Sequence, residues 1–392
     1  MEGIRIVELS VALTGPLAVG MLVDQGAEAV KVEQPGLGDQ GRYIGVSSGG
    51  ISALFQICNR GKRSIAVDCR DPSGRDIVLD LTAGADVFVQ NMRPGVAERL
   101  GLGYDAVSAG NSDIVYASLS GFGPDGPYAH RRAYDSVLQA QAGVVASQTG
   151  ANDESPTFLR QAIADKVTAY TACQAVTAAL FAREQGAGGQ HITVAMLDAM
   201  ISFQYPDAAG HEVALDNDQP HLDQSPSARQ KAIAFGDGHA VVVPITDAQF
   251  HGLATAFGVD SSDPAVATIG DRFHNREAMS DVMRRVHAAA ARLTLQEGIE
   301  RLERADVPYG VVLAVEDVAA DAQVEHNRIL VEHDHPAMGR VSQPRPPARF
   351  SATEASLAEP SAPALGQHTD VVLTEIGWGD RLAELRARGV IA

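Results

Sequence analysis

Strand-like and helix-like segments alternate through roughly the first 120 residues, and this alternation constrains the fold more than any other feature. "GIRIVELS" reads as a buried strand, residues Pro16 to Gln25 as a helix with Pro16 suited to its first turn, and "AEAVKVEQP" as the next strand. "RSIAVDC" is a further strand, and Asp71-Pro72 caps a helix running to about Leu81. "DVFVQNM" and "DIVYASLSG" are strands on either side of a short helix from Pro94 to Leu100. Repeated βαβ units imply an α/β fold with a parallel sheet, right-handed crossovers and helices on both faces, a Rossmann-like core. No G-x-G-x-x-G follows the first strand, and "ALTGPLAVG" matches that fingerprint poorly, so a nicotinamide or flavin cofactor is not supported.

A chain of 392 residues exceeds one ordinary compact core, which makes two domains the expectation. The second lies at 225–325, where "KAIAFGDGHAVVVPIT" reads as a hairpin turning at Gly236-Asp237-Gly238-His239. Amphipathic helices at about 247–256 and 276–304 follow, and "ADVPYGVVLAV" returns to strand, giving a smaller α+β domain. "SQPRPPARFSATEASLAEPSAPALGQHTD" is rich in Pro, Ser and Ala and reads as an extended segment on the surface, before a last helix in "DRLAELRARG".

Composition narrows the ligands. Hydrophobic residues make up 45% and charged residues 20%, as in a soluble globular protein, and no apolar run is long enough to span a membrane. "MEGIRIVELS" has neither the basic start nor the apolar core of a signal peptide, so the cytoplasm is the expected location. Cys58, Cys69 and Cys173 lack paired or metal-ligand spacing and read as buried thiols, and the histidines show no metal spacing. A net charge of −18 repels nucleic acid and anionic membranes, so an anionic ligand needs a local basic site. Arg60, Lys62, Arg63, Arg70, Arg93, Arg99, Arg131 and Arg132 all fall in the first third of the chain. Ligands of open parallel sheets bind beyond the carboxyl ends of the strands, where Arg70, Asn91, Arg93 and "GFGPDGPYAHRRAYD" are expected.

One carboxylate stands out. In "QAIADKVTAYTACQAVTAALFAREQGAGGQ", apolar residues recur at helical spacing from Val167 to Leu180, Gly186 is a natural stop, and Asp165 falls at the N-cap. Backbone N–H groups of the first turn and the helix dipole would favour its ionised form. An ionised carboxylate there is either an ordinary helix cap or a nucleophile.

Several stretches together resemble the class III CoA-transferases, whose relatives include formyl-CoA transferase and the α-methylacyl-CoA racemases. They are "GIRIVELSVALTGPLAVGMLVDQGAEAVKVEQPGLGD", "NRGKRSIAVDCRDPSGR", "ADVFVQNMRPGVAERLGLGYD", "IVYASLSGFGPDGPYA", "AYDSVLQAQAG", "ADKVTAY", "GGQHITVAMLDAM" and "LGQHTD". The resemblance implies an interlocked homodimer. Each chain would form a large Rossmann-like domain, 1–200 completed by 330–392, and the small domain, with linkers at 201–224 and 326–345. Its substrates would be acyl-CoA and small carboxylic acids, with no permanently bound cofactor.

The resemblance also places the family's nucleophile on Asp165. Its CoA contacts carry over onto Val67, Asp68, Cys69 and Arg70 beside the adenosine, and onto Asn91, Met92, Arg93 and Arg99 along the nucleotide. Arg132, Ala133, Tyr134 and Asp135 come nearer the thioester, and Leu13 and Thr14 match a loop approaching the thiol end. Leu13 replaces the Gln of formyl-CoA transferases. With the apolar run Ala142 to Ala146, it points to an acid less polar than oxalate or formate. Tyr134 stands where the racemase branch carries a His, and a tyrosine is too weak an acid to serve as a base near neutral pH, so CoA transfer is favoured over racemisation. A catalytically silent acyl-CoA-binding relative is the other alternative, which the presence of Asp165 disfavours. Asp135 is either a second carboxylate near the thioester or simply the start of the helix "SVLQAQAGVVA", the turn at Gly238-His239 is a plain turn or a lid, and His368 is assigned a structural hydrogen-bonding role.

Overall fold

The computed structural model describes residues 1–149, 155–216, 231–353, 355 and 359–392. The chain divides into two compact units, residues 1–217 with 325–392, and residues 218–324. The strands in chain order begin with β1 (Arg5–Leu9), β2 (Glu28–Glu33), a short hairpin of β3 (Ser47–Ser48) and β4 (Ile51–Ser52), β5 (Arg63–Ala66), β6 (Val87–Gln90), β7 (Val115–Ser120) and β8 (Gln190–Ala195). Six of them form one sheet in the order β5-β2-β1-β6-β7-β8, and every pair in it is parallel.

The pleat sends alternate side chains to opposite faces, and each face meets its own helices. Ile6, Val87, Val89, Val115 and Ala117 pack under α1 (Thr14–Val23) and the long α8 (Ile163–Ala182), against Ala18, Val19, Leu22, Ala169, Ala172 and Val176. Val7, Val32, Ile65, Phe88 and Tyr116 form the opposite core with Ile77 and Val78 of α3 (Pro72–Ala83) and Val107 of α5 (Tyr104–Gly110). Between these lie α2 (Ala53–Asn59), α4 (Val96–Arg99), α6 (Asp135–Gln141) and α7 (Val144–Gln148). Full burial of a Val, Ile or Leu side chain contributes about 1.5–3 kcal/mol, so the two faces together supply most of the drive to fold.

The sixth strand, β8, was not read as a strand in the sequence. It is an edge strand with Gln190, His191 and Thr193 on its polar positions, so only Val194 and Ala195 are fully buried and the apolar signal is short.

The C-terminal segment is structural. Val372, Leu373, Leu385, Val390 and Ile391 are buried in the same cluster as Ile65 and Ile77, and Ile391 bridges Val67 in antiparallel fashion. The Pro-rich stretch is not wholly on the surface as expected. Gln343 and Ala362 are buried, Gln56 Nε2 donates to Gln343 Oε1 (2.9 Å) and Pro360 O (2.7 Å), and Arg42 donates to Pro363 O (3.1 Å). These backbone carbonyls satisfy buried donors, which composition does not reveal.

The smaller unit holds a three-stranded antiparallel sheet of β9 (Ile233–Ala234), β10 (His239–Val242) and β11 (Tyr309–Val311). Its core is Phe250, Leu253, Val266, Val282, Val286 and Leu302. The helix expected at 276–304 is two helices, Arg276–Ala290 and Leu295–Arg304. Thr294 starts the second with a capping box, its hydroxyl accepting from Glu297 N (3.3 Å) while Glu297 Oε2 accepts from Thr294 N (2.8 Å). At the hairpin turn, Phe235 N donates to Gly238 O (2.8 Å), and Leu295 N donates to Asp237 Oδ1 (2.6 Å).

Of the two stretches expected to be linkers, 326–345 carries an antiparallel hairpin of β12 (Leu330–His335) and β13 (Gly339–Pro344). The other begins within the helix Met196–Ala208 and runs through the short helix Gly210–Val213. Residues 217–224 of it, and residues 225–230 of the smaller domain, lie outside the described residues. Among the described residues no helix is long and apolar enough to cross a membrane.

Candidate functional site

Chain order reverses between β1 and β6: β2 lies on one side of β1, while β6, reached much later in the chain, lies on the other. Such a switch point opens a crevice beyond the carboxyl ends of the strands. The β1–α1 loop and the loop after β6 meet there, where Val11 N donates to Asn91 Oδ1 (2.9 Å) and Asn91 Nδ2 donates to Val11 O (2.8 Å). Ala12 then takes a left-handed φ of 67°, a conformation that side chains other than glycine rarely adopt, and its N–H is held by Asp39 Oδ1 (2.7 Å). Leu13 is the half-buried N-cap residue of α1, and Thr14 is buried as its first residue. Gly15 is obligatory on steric grounds, since a Cβ there would sit 2.3 Å from Ser10 Oγ.

A buried ionic network anchors this loop. Glu8 accepts from Lys31 Nζ (3.1 Å) and Lys62 Nζ (2.6 Å), Lys31 also pairs with Asp39 (2.8 Å) and donates to Ser10 O (2.8 Å), and Lys62 donates to Pro16 O (2.8 Å). Burial opposes charge on Glu8, but the two ammonium groups outweigh it and hold its carboxyl below the usual range. This corrects the expectation that Arg60, Lys62 and Arg63 belong to an anion-receiving cluster. Lys62 is fully buried against Glu8, Arg60 is buried against Asp24 (2.6 Å), and Arg63 pairs with Glu375 (2.8 Å). The signal available in the sequence was a Glu and a Lys at interior positions of apolar strands, "RIVELS" and "AVKVE".

Asp165 is not the N-cap of α8. Ala162 occupies that position and Asp165 is the third residue of the helix. The capping is performed from another element: Asp135, the first residue of α6, accepts from Ala164 N (2.7 Å) and Asp165 N (3.1 Å) through Oδ1. Gln139 Nε2 donates to the other oxygen of Asp135 (2.6 Å) and to Gln161 O (3.0 Å), which fixes the turn leading into α8. Asp135 is thus the start of α6, one of the two readings left open by the sequence, and its carboxylate receives the first N–H groups of α8.

The Asp165 side chain is free of capping duty and accepts a hydrogen bond from the Thr14 hydroxyl through Oδ1. Ala18, Ala169 and Ala172 are buried together where α1 packs on α8, which brings the two helix starts together. Burial raises the Asp165 carboxyl above its ordinary range, the Thr14 hydrogen bond opposes this, and the nearby charge of Asp135 adds to the rise. The sequence reading had the opposite sign, because it credited Asp165 with backbone hydrogen bonds that Asp135 receives.

Val67 follows β5, Met92 and Arg93 follow β6, and Gly121 follows β7, so these positions lie beyond the carboxyl ends of the same parallel sheet. Val67 is buried, and Asp68 N donates to Val390 O (2.8 Å). Arg70 is paired with Asp68 through two hydrogen bonds (2.8 and 2.8 Å). Cys69 is half-buried and its thiol is pushed up to about 12 by burial, so it is not a thiolate. Met92 N donates to Gln90 Oε1 (2.7 Å) while its side chain packs on the core. Arg93, Arg99 and Arg132 are exposed and have no ion pair among the described residues, whereas Arg131 stacks on Tyr128 (3.7 Å). Ala133 packs so closely on Gly121 that a Cβ there would lie 2.2 Å from its own. Tyr134 caps α6 with its backbone and leaves its ring exposed. Ala142, Val144 and Val145 are buried, Ala142 and Val144 with Leu138, Met196 and Met200, so this run is core and says nothing about the polarity of the acid. His368 Nδ1 accepts from Ser64 N (3.1 Å), the structural role expected of it. Among the described residues, no group of three His, Cys, Asp or Glu could hold a metal ion.

The sequence profile described as CoA-transferase family III matches residues 1–369. Succinyl-CoA:glutarate CoA-transferase of Mus musculus is 33% identical over 100% of this chain and 90% of its own. Acetyl-CoA:oxalate CoA-transferase of Acetobacter aceti is 31% identical over 93% of each chain. The crystal structure of a CAIB/BAIF family protein from Brucella suis matches with a TM-score of 0.82 and 31% identity, covering 96% of this chain and 98% of that one.

Proposed function

The chain belongs to CoA-transferase family III, an enzyme family, and from that premise we propose that it moves CoA from an acyl-CoA donor to a carboxylic acid through a covalent intermediate on Asp165. The observation that carries this reading is the Asp165 carboxylate itself, half-buried at the switch-point crevice and released from helix capping by Asp135. A carboxylate raised in pKa by burial is more basic than an ordinary one and, once ionised, a better nucleophile.

The ionised carboxylate attacks the donor thioester, giving an aspartyl-acyl anhydride and CoA thiolate. The thiolate returns to the aspartyl carbon, giving an aspartyl-CoA thioester and free donor acid. An acceptor carboxylate then runs the sequence in reverse. No proton need leave the acyl α-carbon, and the exposed Tyr134 offers no evident base for that step. The relatives named for succinate, glutarate and oxalate recommend a small dicarboxylate as acceptor. Arg93 and Arg99, exposed and without ion pairs among the described residues, suit the CoA phosphates, Arg132 is assigned nearer the thioester, and Asn91 serves by holding the Val11 loop.

The test is chemical. Incubation with acyl-CoA followed by hydroxylamine should leave a hydroxamate on Asp165, and Asp165→Ala should abolish both the adduct and transfer. Undiminished transfer by that variant would overturn the assignment. The reading includes an interlocked homodimer in the cytoplasm. Tyr170 and Phe181 of α8, 61% and 68% exposed, are apolar surface that a second chain would cover, and light scattering at the monomer mass would refute it.

A further inference from the structure

We propose that Thr14 is a further catalytic residue, which gives the two oxygens of Asp165 different fates by holding one of them. The inference rests on the covalent route through Asp165 and adds an atom-level assignment to it. Thr14 Oγ1 donates to Asp165 Oδ1, and Oδ2 has no hydrogen-bond partner among the described residues. Oδ2 is the oxygen that attacks and leaves; Oδ1 stays on the protein and carries the negative charge whenever the aspartyl carbon becomes tetrahedral.

Atom by atom, Oδ2 forms a bond to the donor acyl carbon as its C–S bond breaks, and the thiolate departs with the electron pair. The thiolate then attacks Cγ of Asp165, charge collects on Oδ1, and the Cγ–Oδ2 bond breaks, so the donor acid leaves with Oδ2. An oxygen of the acceptor carboxylate attacks Cγ, charge again collects on Oδ1, and the thiolate is expelled. Finally the thiolate attacks the acceptor's acyl carbon, and the acceptor's oxygen remains on Asp165 as the new Oδ2. One turnover therefore replaces Oδ2 and leaves Oδ1 in place. The Thr14 hydroxyl stays a donor throughout and no proton changes hands.

Thr14 is built for this. It is 4% exposed, and the loop behind it is held on several sides: Asn91 binds Val11, Asp39 binds Ala12, and Lys31 and Lys62 bind the carbonyls of Ser10 and Pro16. A donor fixed in advance beside an oxygen where charge develops stabilises the tetrahedral states without reorganisation.

Many turnovers with an acceptor acid labelled in both carboxylate oxygens with heavy oxygen, followed by mass spectrometry of the peptide carrying Asp165, should show one heavy oxygen and no more. Two heavy oxygens would overturn the role of Thr14 while leaving the covalent route standing. None would overturn the covalent route itself, and the proposal with it. This arm needs no variant and so does not depend on one folding. In addition, Thr14→Val should lower kcat about 100- to 1,000-fold with KM little changed and should admit the second heavy oxygen, and Thr14→Ser should restore both behaviours. An unchanged kcat in Thr14→Val would refute the assignment.

Discussion

Asp165 is placed where burial and a neighbouring carboxylate disfavour its charge, and only the Thr14 hydroxyl favours it. The sign follows directly. A carboxyl whose folded pKa lies above its unfolded value weakens the fold as pH rises from the ordinary carboxylate range, and the loss is complete above the folded pKa. The proposed covalent route needs the ionised form, so the acid limb of kcat/KM against pH should lie above the range of an ordinary aspartate. Asp135→Asn keeps an oxygen for Ala164 N and Asp165 N while removing the like charge. Its acid limb should move to lower pH, and a limb that stays or moves upward would refute the coupling. The sequence marked both carboxylates, but their division of labour was not legible in it. The two are 30 residues apart, and which one receives the N–H groups of α8 depends on how α6 is packed.

At the scale of elements, the strands and helices that are buried on both sides were readable, because their apolar runs and Pro or Asp caps are local signals. Asp71 does cap α3, accepting from Ser73 N (2.8 Å). Features decided by tertiary partners were not readable: the edge strand β8, the ionic network under the β1–α1 loop, and the buried part of the Pro-rich segment. The network carries its own prediction. Glu8 is the shared counter-charge of two fully buried lysines, and Glu8→Gln leaves Lys62 without a carboxylate partner among the described residues and Lys31 with Asp39 alone. Removing one partner of a buried ion pair costs about 3–5 kcal/mol, and urea denaturation should show a loss of that order. Because the Glu8 pKa is depressed in the fold, its stabilisation is present above the usual carboxylate value and disappears as pH falls through the lower folded value. The stability difference between wild type and Glu8→Gln should therefore shrink in acid; a difference that is constant down to strongly acidic pH would contradict this account.

Over the whole molecule, the large unit is assembled from the two ends of the chain, and the closure holds the backbone that follows β5. His368 N donates to Ser64 O (2.8 Å), Ala66 N to Thr369 Oγ1 (3.0 Å), and Asp68 N to Val390 O (2.8 Å), so the C-terminal segment runs along β5 and fixes the stretch proposed to meet adenosine. Val372, Leu373, Leu385, Val390 and Ile391 are almost completely buried in that core. At about 1.5–3 kcal/mol each, their burial is worth roughly 8–15 kcal/mol as an upper estimate. That matches the entire net stability of a typical domain, about 5–15 kcal/mol. A chain ending at Gln367 should therefore fail to unfold cooperatively in calorimetry, since the core of one face of the sheet would be open. A chain ending at Gly389 is the more discriminating case: it keeps Leu373 and Leu385 but loses the Val390 acceptor and the Ile391 bridge to Val67. It should fold with a lowered melting temperature and bind CoA more weakly, because the backbone of Val67 to Arg70 is no longer held. Wild-type CoA affinity in that shortened protein would show that the C-terminus serves stability alone and that Val67 to Arg70 keep their shape without it.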